Sequence, residues 1–398
     1  MKWPPLMRLL VVSTWCPAPP DNGSRLRAFH LLRHLAERHA MTLLSFGRAD
    51  DAADLDALTR LCARVEIVPP RAPGSGAGLT REGLWSPVPR SLVQTRSDAL
   101  ARLIAEAVPR HDAAIAMQIQ AAWHLADHAA ALPSVFDEVE VGNAHDEYAR
   151  ARGSRRLRQG LTWWKFRRFV RAVVARFDRA TVVSDVERDR VAAIGVAPAR
   201  IDVVPNGVDA GPLRLPDTRR PRLIYPGPVT YAANLDAVRF FVESVLPEVR
   251  RRHPAIEFVV TGATTGRDVS DLARVAGVTF TGRVPDVEPL LRESLACVVP
   301  LRFGGGTRLK VLHAMACGVP VVSTDKGVEG LDVTPERDVL TGETPAALAA
   351  QIGRLVEDPA LGRRLAVEAH ALVARRYDWG AIAARLEGTV EAARQARR

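Results

Sequence analysis

Long apolar runs are missing from this 398-residue sequence, and none reaches the roughly 20 residues that a membrane-spanning helix needs. Cysteine is scarce, and the four thiols show no spacing typical of metal ligands: Cys16, Cys62, Cys297 and Cys317. The N-terminal stretch has a short apolar segment and no small-residue cleavage site, so we interpret it as a core strand and not as a secretion signal. Scattered free thiols suit a reducing compartment, and we predict a cytoplasmic protein without a bound metal.

Acidic residues are outnumbered, with 45 Asp and Glu against 55 Lys and Arg, which gives a formal net charge of +10. An apolar content of 47% and a charged content of 25% exclude wholesale disorder. Part of the excess charge reflects an Arg-rich composition. The remainder favours anionic partners, which are nucleic acid, lipid headgroups or phosphorylated substrates.

Short apolar runs alternate with amphipathic segments along the whole chain. The first half opens with a predicted strand at 9–14, a helix at 25–39 and a strand at 40–46. The Pro-, Gly- and Arg-rich stretch 202–222 is the predicted linker, and the pattern restarts after it. The second half has five predicted strands, at 223–227, 256–262, 278–282, 296–301 and 319–324. This alternation predicts two doubly wound parallel sheets, whose ligands bind beyond the carboxyl ends of the strands, in the cleft between the halves.

The stretch "RFGGG" (302–306) joins the predicted strand 296–301 to a predicted helix at 308–316. Thr307 is the expected N-cap of this helix, and Gly318 the expected residue after its C-cap. A glycine-rich turn at a helix start offers free backbone N–H groups to phosphate, and Arg308 and Lys310 add positive charge. A second interpretation is that the glycines only make a tight turn and that the basic side chains face water.

Seven stretches together resemble glycosyltransferase family 4, and they follow one another in the order found in that family. They are "APPDNGSRLRAFHLLRHLAERHAMTLLSF", "FDRATVVSDVERDRV", "VVPNGVD", "YPGPVTYAANLDAVRFFVESVLPEVRRRHPAIEFVVTG", "VTFTGRVPDVEPLLRESLACVVPL", "PLRFGGGTRLKVLHAMACGVPVVSTDKGVEGL" and "RRYDW". The sixth is similar to the family's "GGGTRLK" subgroup. The resemblance covers nearly the whole chain. It implies a retaining, metal-independent sugar transferase with the α/β GT-B fold, in which two Rossmann-like doubly wound domains face each other across a cleft.

The resemblance also implies domain bounds. Residues 1–205 would form the acceptor-side domain, and residues 206–375 the domain that binds the nucleotide sugar. Residues 376–398 would form a C-terminal helix that packs back on the first domain.

The same resemblance implies which residues hold the donor. Those that approach the diphosphate or the nucleobase would be Gly23, Gly227, Arg283, Val284, Gly305, Gly306 and Thr307. Arg308 and Lys310 would act in catalysis. The leaving nucleoside diphosphate gains negative charge as the glycosidic bond breaks, and fixed cations stabilise that change more than they stabilise the ground state.

Two positions depart from the family pattern. Many members carry two glutamates eight positions apart, and here Gly305 and His313 stand in their places. A neutral imidazole accepts one hydrogen bond, so His313 would hold the ribose more weakly than a carboxylate, or would only pack near the helix start. Tyr231 and Asn234 lie where relatives place an Arg and a Lys. Phosphate binding would then depend more on Arg308 and Lys310.

The acceptor-side candidate is "SVFDEVEVGNAHDEY" (134–148). Asp137 is the first choice among its acids because it ends a predicted strand, and Glu138, Glu140 and His145 follow. A carboxylate here would orient the acceptor hydroxyl or stabilise an oxocarbenium ion. An acid that only orders the loop fits the sequence equally well.

A basic aromatic stretch, "SRRLRQGLTWWKFRRFVRAVVARFDR" (154–179), is typical of a helix lying on an anionic membrane. Nucleic-acid binding uses similar residues, but no nucleic-acid module is recognisable, and we predict no such partner. The alternative is a helix whose aromatic side chains pack on the first domain.

From these features we predict a transferase that moves a sugar from a nucleotide-sugar donor to a glycan or lipid-linked acceptor without a cofactor. Two alternatives stay open. One is a catalytically degenerate binding protein, and the other is a nucleotide-sugar epimerase on the same fold.

Overall fold

A computed structural model describes residues 7–47, 52–69, 86, 88–93, 95–216 and 218–398. Two compact units make up the chain. Unit 1 comprises Met1–Asn206 and Trp379–Arg398, and unit 2 comprises Gly207–Asp378. The chain therefore leaves unit 1 within the predicted linker and returns to it for the last helix. No helix of the described residues combines the length and the apolar character needed to cross a membrane.

Unit 1 is built on a seven-stranded sheet in which every neighbouring pair of strands is parallel. Its strands are β1 (Arg8–Ser13), β2 (Ala40–Phe46), β3 (Arg64–Val68), β4 (Ala113–Met117), β5 (Ser134–Asp137), β6 (Arg179–Val182) and β7 (Ile201–Val203). Their order is β3-β2-β1-β4-β5-β6-β7. The carboxyl ends of all seven strands consequently lie at one edge of the sheet.

Helices cover this sheet on two sides, with a separate apolar core on each side. They are α1 (Gly23–Leu35), α2 (Ala52–Leu61), α3 (Arg90–Val93), α4 (Asp98–Ala107), α5 (Gln118–Leu125), α6 (Gly142–Arg150), α7 (Gly153–Val174), α8 (Asp185–Ala193) and the C-terminal α17 (Trp379–Gln395). Short 3₁₀ turns lie at Val108–Arg110, Ala129–Ala131 and Pro198–Arg200.

Helix α1 starts and ends earlier than the predicted 25–39. It starts early because the Asn22 side chain caps it, accepting a hydrogen bond from the Arg25 N–H at 3.1 Å. It ends early because the chain tightens into turns, in which the Glu37 N–H donates to the His34 carbonyl. Its buried face packs against α17, whose Trp379 is 1% exposed.

Unit 2 contains a six-stranded parallel sheet of order β10-β9-β8-β11-β12-β13. Its strands are β8 (Arg220–Pro226), β9 (Glu257–Thr261), β10 (Val278–Gly282), β11 (Ser294–Val299), β12 (Val321–Ser323) and β13 (Leu340–Thr341). The five strands predicted for this half are confirmed as β8 to β12. The two-residue β13 was not predicted, because its sequence is too short to show a pattern.

The helices of unit 2 follow the strands in alternation and enclose one apolar core. They are α9 (Ala232–Phe240), α10 (Leu246–Arg252), α11 (Ser270–Ala273), α12 (Glu288–Glu293), α13 (Leu309–Ala316), α14 (Asp325–Val328), α15 (Pro345–Glu357) and α16 (Pro359–Arg376). A π-helical turn at Phe241–Val245 joins α9 to α10. Both units are thus Rossmann-like, as predicted.

Candidate functional site

The amino group of Lys310 lies at the carboxyl-end edge of the unit 2 sheet. Lys310 is the second residue of α13, and its Nζ is 2.6 Å from the Tyr225 hydroxyl and 2.9 Å from Asn234 Oδ1. The same nitrogen is 3.9 Å from the centre of the Tyr225 ring. Strand β8 supplies Tyr225, helix α9 supplies Asn234 and helix α13 supplies Lys310, so three elements of unit 2 meet at this ammonium group.

Burial lowers the pKa of Lys310 from 10.5 to about 7, and the nearby Arg308 guanidinium also disfavours the charged form. The ammonium has lost much of its hydration, and within the described part of the chain no carboxylate pairs with it in exchange. An anionic ligand beside it would restore that missing interaction. The position is therefore poised to bind negative charge.

Gly227 gives access to this ammonium group. It follows β8 with a φ of 151°, and a β-carbon there would lie 2.8 Å from Lys310 Nζ. Any side chain at this position would crowd the nitrogen and cover it. Glycine thus keeps the backbone close to Lys310, which is consistent with its predicted place in a phosphate site.

Arg308 has contacts that differ from those predicted for it. It was expected to balance the diphosphate charge, but it is 5% exposed and its guanidinium is engaged by backbone carbonyls. It donates to the carbonyls of Gly304 at 2.7 Å, Gly305 at 3.0 Å and Lys326 at 3.1 Å. These bonds tie the glycine loop to the start of α14. Arg308 therefore positions the loop, and Lys310 is the better candidate for direct contact with phosphate.

The ends of α13 differ in how well they were predicted. Thr307 was expected to be the N-cap, but Arg308 occupies that position and no side chain caps the helix. The prediction of Gly318 after the C-cap is confirmed by its φ of 67°. Its N–H donates to the Met315 carbonyl and that of Val319 to the Ala314 carbonyl, which closes a Schellman motif.

Several of the other predicted donor residues follow strands of the unit 2 sheet. Arg283 and Val284 follow the carboxyl end of β10, and the glycines of the loop follow β11. His313 is further along α13, where its Nε2 is 3.6 Å from Glu288 Oε1. Gly23 belongs to unit 1, as the first residue of α1. The contact of all these residues with a donor stays a prediction.

Asp137, the predicted acceptor-side acid, is fully buried in unit 1. Its carboxylate accepts two hydrogen bonds from Arg27, with Nε–Oδ2 of 2.9 Å and Nη2–Oδ1 of 2.6 Å. The Thr181 hydroxyl donates to it at 2.6 Å. Arg27 is itself 1% exposed and also donates to the Pro205 carbonyl and to Asn206 Oδ1. The carboxylate is thus committed to this network, and we reassign Asp137 from acceptor contact to holding Arg27.

Two strained residues lie beside Asp137, at the carboxyl ends of β4 and β5. Gln118 has a φ of 71° and Glu138 a φ of 62°, and Gln118 Nε2 donates to Glu138 Oε2 at 2.8 Å. Residues other than glycine rarely adopt these angles, and such strain clusters at functional sites. Gln118 Oε1 is buried and has no hydrogen-bond partner among the described residues. The accepting capacity of this amide oxygen is thus unused within the described part of the chain.

Burial raises the pKa of Glu138, the Arg27 charge opposes that rise, and the Asp137 charge adds to it. Sequence reasoning named Glu138 only as a neighbour of Asp137 and missed Gln118. Backbone strain leaves no trace in the composition of "AMQIQ", so no sequence signal marked Gln118.

Helix α7 carries the basic aromatic stretch, and the structure divides its side chains between two roles. Trp163 and Phe166 pack against the core of unit 1, and Phe169 is buried in it. Leu157, Leu161 and Trp164 are exposed by 80%, 48% and 44%, and their spacing places them on one face of the helix. The alternative interpretation, packing on the first domain, is thus right for three aromatic side chains and wrong for Trp164.

Comparison with known protein families gives two matches that divide the chain in nearly the same way as the structure. Residues 22–211 match the model described as "Glycosyltransferase Family 4". Residues 220–358 match the model described as "Glycosyl transferases group 1".

Curated relatives include a glycogen synthase of Mycobacterium tuberculosis, which is 28% identical over 293 residues. That match covers 66% of this chain, and the chain spans about 65% of the length of the synthase. A phosphatidyl-myo-inositol mannosyltransferase of Propionibacterium freudenreichii is 31% identical over 164 residues, which cover 39% of this chain and 40% of that protein.

Among solved structures, the Anabaena protein HepE in complex with UDP and glucose superposes with a TM-score of 0.68 at 15% identity. The superposition covers 97% of this chain and 99% of that protein. Likeness at this level of identity shows the fold, which is that of the GT-B glycosyltransferases.

Proposed function

Because the chain belongs to the glycosyltransferases, with a family 4 domain followed by a group 1 domain, we propose that it is a retaining transferase. It moves a sugar from a nucleoside diphosphate donor to a glycan or a lipid-linked saccharide. The observation that carries this proposal is the partly desolvated Lys310 ammonium beside Gly227, at the edge of a Rossmann-like sheet. The UDP in the HepE complex supports a donor of this chemical class.

The reaction breaks the bond between the anomeric carbon and the diphosphate oxygen and forms a bond to the acceptor oxygen. Lys310 stabilises the negative charge that develops on the leaving diphosphate. The N-terminal end of the α13 dipole adds partial positive charge. The acceptor hydroxyl gives its proton to the departing phosphate oxygen, so that no separate base is needed. With this cation in place, the site needs no metal.

On the acceptor side, we assign Gln118 and Glu138 to substrate contact. Gln118 Oε1 is a buried acceptor that has no hydrogen-bond partner among the residues described, and Glu138 is hydrogen-bonded to the same side chain. Both follow parallel strands at one edge of the unit 1 sheet, where ligands of doubly wound folds bind. They replace Asp137 in the predicted role.

The transfer reaction is tested by incubating the whole chain with UDP-, GDP- and ADP-sugars and a panel of glycan acceptors. We expect acceptor-dependent release of one nucleoside diphosphate and a product whose anomeric configuration, read by NMR, matches the donor. Epimerised sugar without an acceptor would identify the epimerase alternative. Donor binding without any release would identify the degenerate one.

Replacing Glu138 by glutamine is expected to lower kcat/KM for transfer by about 100-fold, the order of effect of one well-placed polar group. The unfolding temperature should not fall, because burial already disfavours the charged carboxylate. If the ionised form is required, wild-type activity should rise with pH through the raised pKa of Glu138, and the variant should lose that rise. An unchanged kcat/KM in a folded variant would remove Glu138 from the site.

We further propose that α7 docks on the inner face of an anionic membrane. Its exposed apolar stripe of Leu157, Leu161 and Trp164 is flanked by arginines, and the Arg168 guanidinium stacks 5.0 Å from the Trp164 ring. Apolar side chains that enter the interface together with cations near anionic headgroups are typical of peripheral binding. Such a position suits an acceptor carried on a lipid.

The double substitution Leu157→Ser with Trp164→Ser should weaken binding to phosphatidylglycerol-containing vesicles by about tenfold or more, since each buried apolar side chain contributes about 1.5–3 kcal/mol. Co-sedimentation measures the bound fraction. Val367→Ser is the matched control, because Val367 is 44% exposed but lies on α16 of unit 2. Equal loss in the control, or no binding by wild type, would contradict the docking surface.

A further inference from the structure

Three side chains with metal-binding atoms meet between α12 and α13. His313 and Cys317 are four residues apart at the end of α13, and Glu288 is the first residue of α12. Their ligand atoms, a ring nitrogen, a thiol sulfur and a carboxylate oxygen, all lie within 4.8 Å of one another. No sequence spacing marked this group, because Glu288 is far from His313 along the chain.

We propose that Glu288, His313 and Cys317 bind a divalent cation of the zinc class. Imidazole, thiolate and carboxylate are the three ligand types that zinc takes in proteins. A spacing of four residues puts His313 and Cys317 on the same side of the helix, and the Cys317 N–H still donates to the His313 carbonyl at 3.0 Å. Small side-chain rotations would close the ligand set. A water molecule would take the fourth position of a tetrahedral site.

Arg292 orients the carboxylate. Its Nη2 donates to Glu288 Oε2 at 3.1 Å, which leaves Oε1 directed at His313 Nε2, 3.6 Å away. Its Nη1 contacts the Cys317 carbonyl at 3.4 Å. Metal ligands are commonly held by such outer contacts, which fix their direction before the ion binds. Arg292 thus supports two of the three ligands.

The charge balance favours a doubly charged cation. Cys317 is buried, and its thiol must give up its proton to bind the ion. Metal binding replaces that proton, which passes to solvent, and the resulting thiolate and the Glu288 carboxylate neutralise the two charges of the ion. The imidazole contributes a neutral nitrogen.

The bound ion would join the start of α12 to the end of α13. Cys317 is 1% exposed, whereas His313 and Glu288 are partly exposed, so the site has a buried ligand and a route for the ion from solvent. Because α13 also carries Lys310, the ion would fix the helix that presents this ammonium group. The inference does not depend on sugar transfer.

Zinc binding to the whole chain is measured by calorimetric titration, and cobalt(II) is used as a spectroscopic probe. Wild type should bind one zinc ion, and its cobalt form should show a thiolate-to-cobalt charge-transfer band. Cys317→Ser should lose the band and bind zinc at least about tenfold more weakly, since even outer contacts contribute that much. The matched control Cys62→Ser removes another buried thiol and should behave as wild type.

His313→Gln provides a second test that does not alter a buried residue, and it should weaken zinc binding by a similar factor. Zinc should also raise the unfolding temperature of wild type and of Cys62→Ser, but not that of Cys317→Ser. The proposal fails if wild type binds no zinc. It fails equally if the folded variants Cys317→Ser and His313→Gln keep wild-type affinity, because the ion would then lie elsewhere.

Discussion

Replacing Lys310 by methionine is expected to remove most sugar transfer while leaving the protein at least as stable as before. Loss of one preorganised group that stabilises developing charge lowers kcat by about 100- to 1,000-fold. The free energy of unfolding should not fall, because keeping the buried amino group charged in the folded state costs free energy. This cost is what lowers the pKa of Lys310 to about 7. Its two partners stay satisfied, since the Tyr225 hydroxyl also donates to Asn234 Oδ1 at 2.7 Å.

The lowered pKa of Lys310 should also make the free energy of unfolding depend on pH. Between pH 7 and 10.5 the unfolded chain binds more protons at Lys310 than the folded protein does, so the free energy of unfolding contributed by Lys310 rises with pH across this window. Thermal unfolding measured at pH 7 and at pH 9 should show this rise in wild type. The difference between the two pH values should be smaller in Lys310→Met.

Lys165→Met is the control, because Lys165 lies on α7 of unit 1, whereas the glycine loop belongs to unit 2. It should keep wild-type activity with a soluble acceptor and the wild-type pH dependence. A folded Lys310→Met with undiminished turnover would show that the desolvated ammonium does not contact the donor.

Asp137→Ala is expected to destabilise the protein by about 3–5 kcal/mol, because it leaves the Arg27 guanidinium buried without its carboxylate partner. Denaturant unfolding followed by circular dichroism measures this loss. Turnover per folded molecule should fall much less, since the carboxylate is shut away from any acceptor. Wild-type stability combined with lost turnover would instead restore Asp137 to the acceptor site.

Thr181→Val is a milder change in the same network. It removes the hydrogen bond to Asp137 and the one that the Glu138 N–H donates to the Thr181 hydroxyl, but keeps the ion pair with Arg27, so about 1–3 kcal/mol should be lost. If the Asp137 carboxylate has only a structural role, Thr181→Val should lower the free energy of unfolding less than Asp137→Ala does.

Alternation of apolar runs and amphipathic segments was enough to predict five of the six strands of unit 2 and its Rossmann-like layering, because parallel strands buried on both faces are nearly continuous apolar runs. The glycine loop and Lys310 could be proposed as site features from the sequence, because both lie in one contiguous stretch. Thr307 was misassigned as a cap because the backbone around Arg308 takes a non-helical conformation that its composition does not reveal.

Contacts between residues that are distant in the sequence could not be predicted from the sequence. Arg308 binds the Lys326 carbonyl and Asp137 binds Arg27, and neither pairing leaves a periodic pattern. Both charged residues therefore resembled site residues when only their neighbours were known. Charge and position along the chain identified these two residues as candidate site residues. Their burial and their hydrogen-bond partners are the reason for assigning them structural roles instead.

A calorimetric titration of wild type with UDP, GDP and ADP tests the central claim most directly, namely that unit 2 binds a nucleoside diphosphate at Lys310. Performed at pH 8 in buffers of different ionisation enthalpy, it should show saturable binding of one of the three nucleotides with proton uptake, because the anion restores the charge of Lys310. That nucleotide should bind without proton uptake, and more weakly, to Lys310→Met. Absence of binding by all three, or identical binding and proton uptake in the variant, would contradict the account.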